Sequence, residues 1–199
     1  MWKNKAETVC AQIKNQFSTL RKCLIIIGLF GLVVLPCVAQ PNPKAPSETI
    51  QYTFMIGTWD CVIKSRLPDG STREGTAVWK AHFILDGWAI QDEWVSHDES
   101  GKPAFFGINI RSFNPVLKKW ECRWLPAGTL QWKHFLSWKD GETMVMEGEG
   151  EDQRGAFVDR NTFFDIESDS WSWRKDRSYD GGKTWHRAIA TIEAKRGKP

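Results

Sequence analysis

Phe54-Met55-Ile56-Gly57-Thr58-Trp59 is where the chain changes character. Just before it, Ser47 to Met55 suits a short helical turn with Ser47 as its N-cap. From Gly57 onward apolar and polar residues alternate in short runs, the period-two pattern of strands. Turn signals separate the runs: Pro68-Asp69-Gly70, Asp86-Gly87, Ser100-Gly101, Asn114-Pro115, Ala127-Gly128, Asp140-Gly141, Arg154-Gly155, Ser168-Asp169 and Asp180-Gly181-Gly182. Nine turns imply about ten strands, and no later segment keeps a 3.6-residue apolar period long enough for a substantial helix. The pattern predicts an all-β fold. Consecutive antiparallel strands close best into a meander barrel, because closure removes exposed edges. Ten strands enclose more room than eight, which makes space for a ligand cavity; the alternative is a curved sheet folded over a core without one.

The chain has 199 residues, 12 of them Trp, and a formal charge of +3. That length suits one domain of ordinary size. The basic excess belongs to the first 39 residues, which hold Lys3, Lys5, Lys14, Arg21 and Lys22 against Glu7; the remaining 22 basic and 23 acidic residues give −1. No concentrated basic face for nucleic acid survives this division.

Within the leader, the uncharged run Leu24 to Leu35 follows Arg21-Lys22 and precedes Pro36-Cys37-Val38-Ala39. This is the order of a secretory signal peptide, with cleavage expected after Ala39 and a secreted or periplasmic product. A core of about 12 residues is short for a bilayer span, which needs roughly 20. The rival reading is an uncleaved N-terminal anchor, the one contact with a membrane that the sequence suggests. Residues 40–50, rich in proline, read as an extended linker, and 51–196 as the barrel domain. Cys10, Cys23 and Cys37 lie in the leader, while Cys61 and Cys122 fall on the first and fifth strands. Those strands occupy opposite walls of a meander, which argues against a disulfide, and no Cys or His spacing suits a metal.

Gly57-Thr58-Trp59 resembles the Gly-x-Trp signature of the lipocalin-like (calycin) superfamily, in which the Trp plugs one end of the barrel. Leu85-Asp86-Gly87-Trp88-Ala89-Ile90, Gly107 to Pro115, Trp120, Met144 to Gly148 and Ser178 to Trp185 extend the likeness. Together they resemble a bacterial family of unknown function, DUF1579, placed near the lipocalins. The resemblance implies a fold and almost no biochemistry. Ser178-Tyr179-Asp180-Gly181-Gly182-Lys183-Thr184-Trp185 also matches an Asp-box, the hairpin motif of sialidase propellers. A propeller needs several copies, so the single one reads as a turn: Asp180 bonds nearby N–H groups, Gly182 takes positive φ, and Trp185 packs beneath.

Parity along the last strand puts His186, Ala188, Ala190, Ile192 and Ala194 on one face, apolar apart from the histidine. This is similar to nitrobindin-like barrels, where a histidine near the start of the final strand binds haem. His186 is therefore a candidate axial ligand, and haem the one cofactor suggested. His134 shares a face with Leu130, Trp132, Leu136 and Trp138, which reads as buried. Asp92, Arg111, Arg123 and Arg160 are further inward candidates. An inward arginine either pairs with Asp92 or receives a carboxylate ligand, because an unpaired buried charge is costly; the bland reading is an exterior salt bridge.

The sequence thus predicts a barrel that buries a small apolar or amphipathic molecule, with Trp132, Trp138, Met144 and Met146 giving contact area and Asp92, Arg111, His134 or His186 orienting it. The alternatives are haem binding through His186, isomerase or hydrolase chemistry with Asp92 or His134 as general base, and a cell-envelope interaction module without ligand. No Ser-His-Asp order, paired carboxylates or phosphate-binding glycine loop points to catalysis.

Overall fold

The computed structural model describes residues 40–198 except 99. The leader, its cleavage point after Ala39 and its three cysteines lie outside the described residues. Ten strands follow one another: β1 (Gly57–Arg66), β2 (Thr72–Ile84), β3 (Ala89–His97), β4 (Pro103–Asn114), β5 (Lys119–Pro126), β6 (Lys133–Asp140), β7 (Thr143–Asp152), β8 (Gly155–Phe164), β9 (Ser170–Ser178) and β10 (His186–Arg196). Each pairs antiparallel with the next, and β10 returns to β1, closing the barrel in sequence order. All nine turn signals fall at the junctions between successive strands.

Residues Ser47–Met55 form a 3-10 helix. Ser47 does not cap it. Pro46 holds the capping position at φ −51°, where the ring fixes the backbone, and Ser47 Oγ donates to Glu48 Oε2 at 3.2 Å instead. Part of the expected linker is also held down. Asn42 donates from its backbone to Gly87 O at 3.1 Å and from Nδ2 to Asp86 Oδ2 at 2.8 Å. Gly87, at φ +82°, has the Asn42 backbone where a Cβ would stand, so that turn requires glycine.

The helix closes one end of the barrel. Tyr52 and Met55 are fully buried, and the equally buried Trp59 donates from Nε1 to Met55 O at 2.7 Å. Arg196 covers the Trp59 ring at 4.1 Å and donates to Ile56 O at 3.1 Å. Edge-to-face pairs then fill the closed end: Tyr52 with Trp120 at 5.0 Å, Trp59 with Trp171 at 5.6 Å and Trp79 with Trp171 at 5.1 Å. Each such pair contributes about 0.5–1.5 kcal/mol beyond its buried area. Cys61 and Cys122 are buried free thiols on non-neighbouring strands.

Candidate functional site

Above the aromatic plug lies a layer of charge. Arg111 Nε donates to Asp92 Oδ2 at 2.6 Å, and Trp79 Nε1 donates to Asp92 Oδ1 at 3.0 Å. The guanidinium stacks 4.8 Å from the Tyr52 ring centroid and points Nη1 at Met146 Sδ, 3.6 Å away. Burial opposes the Arg111 charge, but the attraction of Asp92 and the hydrogen bond to it outweigh that and hold the guanidinium charged. Burial pushes the Asp92 carboxyl upward against the pull of Arg111. Below this layer Tyr52 Oη and Ser137 Oγ share a hydrogen bond of 2.7 Å.

The ion pair floors a cavity of about 310 Å³ whose walls come from every strand, through inward side chains such as Ile63, Trp79, Trp94, Phe105, Trp124, Phe135, Met146, Trp173, Ala190 and Ile192. Two carboxamides interrupt the apolar wall. Asn109, 3% exposed, buries Oδ1 without any hydrogen-bond partner. Asn161, 4% exposed, reaches only Met146 O, at 3.5 Å. Toward the mouth, Asp159 accepts from Lys175 Nζ at 2.7 Å and from Arg177 Nε at 2.6 Å; Arg177 also reaches Asp152 at 2.8 Å. Burial holds the Lys175 ammonium below the ordinary lysine range despite Asp159. Lys133 completes the rim and makes no ion pair among the described residues.

Beside the mouth the wall is partly unzipped. β6 and β7 pair only from Leu136↔Glu147 to Asp140↔Thr143, so Lys133–Phe135 and Gly148–Asp152 are not bridged to each other. An outer groove of about 790 Å³ lies here and shares Lys133, Phe135 and Asp159 with the cavity.

The sequence-predicted site residues fall in four places. Asp92, Arg111 and Met146 line the cavity, whereas Met144 is buried in the closed-end core and is not part of the lining. Trp132, His134 and Trp138 lie along the outer groove, with Trp132 and His134 exposed. Their face of β6 is therefore the outer one. Period two states which residues share a face, not which face turns inward, and the inward set is Lys133, Phe135 and Ser137, carried in by the Tyr52–Ser137 bond. Arg123 is exposed, and Arg160 pairs with Glu147 at 2.5 Å while covering the Trp185 ring at 4.1 Å.

His186 stands exposed at the rim, edge-on to Tyr179 at 5.8 Å, and is not among the residues lining the cavity. Four steps from His186 to Ala190 answer two from Arg177 to Lys175, a bulge in β10. Ala188 in the bulge adopts φ 52° and donates to Asp176 Oδ1 at 2.8 Å. Nearby, Asp180 accepts from the Thr184 amide at 2.9 Å and its hydroxyl at 2.6 Å, and Trp185 Nε1 donates to Gly182 O at 3.0 Å. Gly181 and Gly182 take φ 71° and 88°. These bonds make the Asp-box a turn clamp. Among the described residues, no group of three or more His, Cys, Asp or Glu is placed to hold a metal ion.

Sequence reasoning missed Asn109, Asn161, Asp159, Lys175 and Lys133. Their signal was register: Asn109 shares its face with Arg111, and Asn161 and Asp159 share theirs with the buried Phe163.

No protein-family model matches the chain, and no curated protein matches it. Among solved structures, the crystal structure of Rv2717c from M. tuberculosis superposes with a TM-score of 0.54 at 10% sequence identity, covering 78% of this chain and 100% of that one. The S-type phycobiliprotein lyase CPES from Guillardia theta gives a TM-score of 0.49 at 12% identity, covering 75% of this chain and 93% of that one. With the closed ten-stranded barrel, the likeness to Rv2717c fits a lipocalin-like fold.

Proposed function

We propose that this protein binds a small amphipathic molecule inside its barrel, by burial rather than by covalent chemistry. The observation that carries the reading is the cavity itself, about 310 Å³ of mostly aromatic and aliphatic wall containing a buried amide oxygen with no partner. Apolar contact is worth roughly 25 cal/mol per Å² removed from water, and a few placed polar groups set orientation. Asp92 is a poor general base in this setting, since its two oxygens already accept from Trp79 and Arg111.

On the motifs quoted above, we also place the chain in the DUF1579 family and outside the cytoplasm; an N-terminus at Gln40 on the protein recovered from the producing cell would support that location. Haem binding through His186 requires the rim histidine to turn into the cavity, and a Soret band lost in His186→Ala is its signature.

Purified protein is denatured and the released small molecules are identified by mass spectrometry, then returned to refolded protein. The expected result is saturable rebinding that Ala190→Phe abolishes without lowering the melting temperature, because Ala190 lines the cavity and the larger ring fills it. Rebinding unaffected by both Ala190→Phe and Ile192→Trp would overturn the reading.

A further inference from the structure

We infer that the ligand is a planar aromatic anion that also carries a hydrogen-bond donor: its ring lies between tryptophans, its donor reaches Asn109 Oδ1, and its negative group sits at the mouth beside Lys133 and Lys175. This rests on the proposal of ligand binding in the barrel and narrows it to one chemical class.

The wall selects the ring. Trp79, Trp94, Trp124 and Trp173 present indoles to the same small space. Flat π surfaces favour offset or edge-on partners, so a planar ring gains contacts that a flexible alkyl chain of equal area does not. An alkyl chain would also lose its rotational freedom on entering.

The donor follows from Asn109. Its Oδ1 is fully buried and unpaired although its strand neighbours Asp92 and Trp124 flank it in register. Asp92 cannot donate to it as a carboxylate and is already engaged by Arg111 and Trp79. A buried acceptor without a partner is costly, and a ligand O–H or N–H removes that cost. Asn161, held only by a 3.5 Å bond, lines the same space and can receive a second polar group of the ring.

The negative group follows from the charge at the mouth. Three cations, Lys133, Lys175 and Arg177, face two carboxylates, Asp159 and Asp152. Arg177 bridges both carboxylates and Lys175 is bound to Asp159, which leaves Lys133 without an ion pair where the cavity meets the outer groove. Glu147, Glu149 and Glu151 line that groove and not the cavity, and Glu147 is already paired with Arg160. An anion placed between Lys133 and Lys175 also lessens the penalty that burial imposes on the Lys175 ammonium.

Four probes test this on the full chain by calorimetry and tryptophan quenching: 6-hydroxy-2-naphthoate, 2-naphthoate, 2-naphthol and octanoate. The hydroxynaphthoate is expected to bind most tightly, exceeding 2-naphthoate and 2-naphthol by about fivefold each, the worth of one net hydrogen bond or charged contact. Lys133→Met should weaken both naphthoates and leave 2-naphthol unchanged. Asn109→Leu should erase the difference between the hydroxynaphthoate and the naphthoate. Octanoate binding as well as 2-naphthoate, or 2-naphthol binding as well as the hydroxynaphthoate, overturns the assigned class while leaving barrel binding intact. Failure of all four probes, together with no small molecule released on denaturation, removes the binding proposal itself.

Discussion

Arg111 donates from Nε to Asp92 Oδ2 at 2.6 Å across the β3–β4 pairing, with side-chain exposures of 1% and 0%. Both charges are withdrawn from water, so the pair is worth little against an apolar replacement yet costly to break. Arg111→Met, which leaves Asp92 alone, should lower unfolding stability by about 3–5 kcal/mol at pH 7, whereas Arg111→Met with Asp92→Leu should regain most of that loss. Urea titration of the two variants measures the difference.

The single variant should also acquire a distinctive pH dependence. Burial already pushes the Asp92 carboxyl upward, and without Arg111 nothing charged opposes it. A carboxyl raised in the folded state favours folding in acid. Stability of Arg111→Met should therefore decline as pH rises above about 4, the unfolded carboxylate range. Denaturant midpoints for the variant that rise between pH 4 and pH 7, once corrected by the same series on the parent, contradict this.

The barrel was legible because its signals are local. Each turn pair, such as Asp140-Gly141 or Asp180-Gly181-Gly182, carries its own conformational reason, and ten short alternating runs leave few ways to hide edges. The direction in which a strand faces is not local. Trp132, just before β6, and Trp138 on it look like core, yet Lys133 and Phe135 point inward because Ser137 is tied to Tyr52 on a distant helix. Asp92 and Arg111 were found because a buried charge needs a partner; Asn109 was missed because a neutral amide announces no such need. His186 shows a different limit. The bulge at Ala188 separates it from the cavity-lining part of β10, and that bulge is anchored by Asp176 on another strand.

The two thiols of the barrel should be silent until it opens. Burial raises Cys61 to about 12 and Cys122 to about 11, and the thiolate is the reactive form. Native protein treated with N-ethylmaleimide at pH 7.5 should yield unmodified peptides at both positions, and the same treatment in urea should label both. Rapid labelling of Cys122 in native protein would contradict the closed packing around Arg111.

Asp180 should give the final hairpin a sensitivity to acid. The Thr184 hydroxyl and amide, then the Ser178 hydroxyl, hold its carboxyl well below the usual range. A carboxylate depressed in the folded state stabilises above its unfolded pKa, near 3.9, and that contribution fades as pH falls below it. Protection of the Gly182 and Thr184 amides, corrected for the intrinsic pH dependence of exchange, should fall below about pH 4 in the parent, and Asp180→Asn should be less protected at neutral pH with a flatter acid response. Equal exchange in parent and variant at pH 7 would remove Asp180 as the clamp.

Three inward glycines shape the mouth. A Cβ at Gly107 would overlap the Trp124 indole, one at Gly148 the Phe135 ring, and one at Gly150 the Phe157 ring. Each glycine lets an aromatic ring lie against the wall where an ordinary residue would push it into the cavity. Gly107→Ala should cost about 1–3 kcal/mol, the range for overpacking, and displace Trp124. Since Trp124 and Phe105 stand 6.4 Å apart along the same rim, that displacement narrows the opening and should weaken binding of 2-naphthoate more than it lowers the melting temperature would imply. Gly101→Ser, at a glycine with open space around it, supplies the control: with φ +80° it should cost backbone strain alone and leave probe affinity unchanged. Gly107→Ala with parental stability and parental affinity would mean that Trp124 does not form this part of the wall.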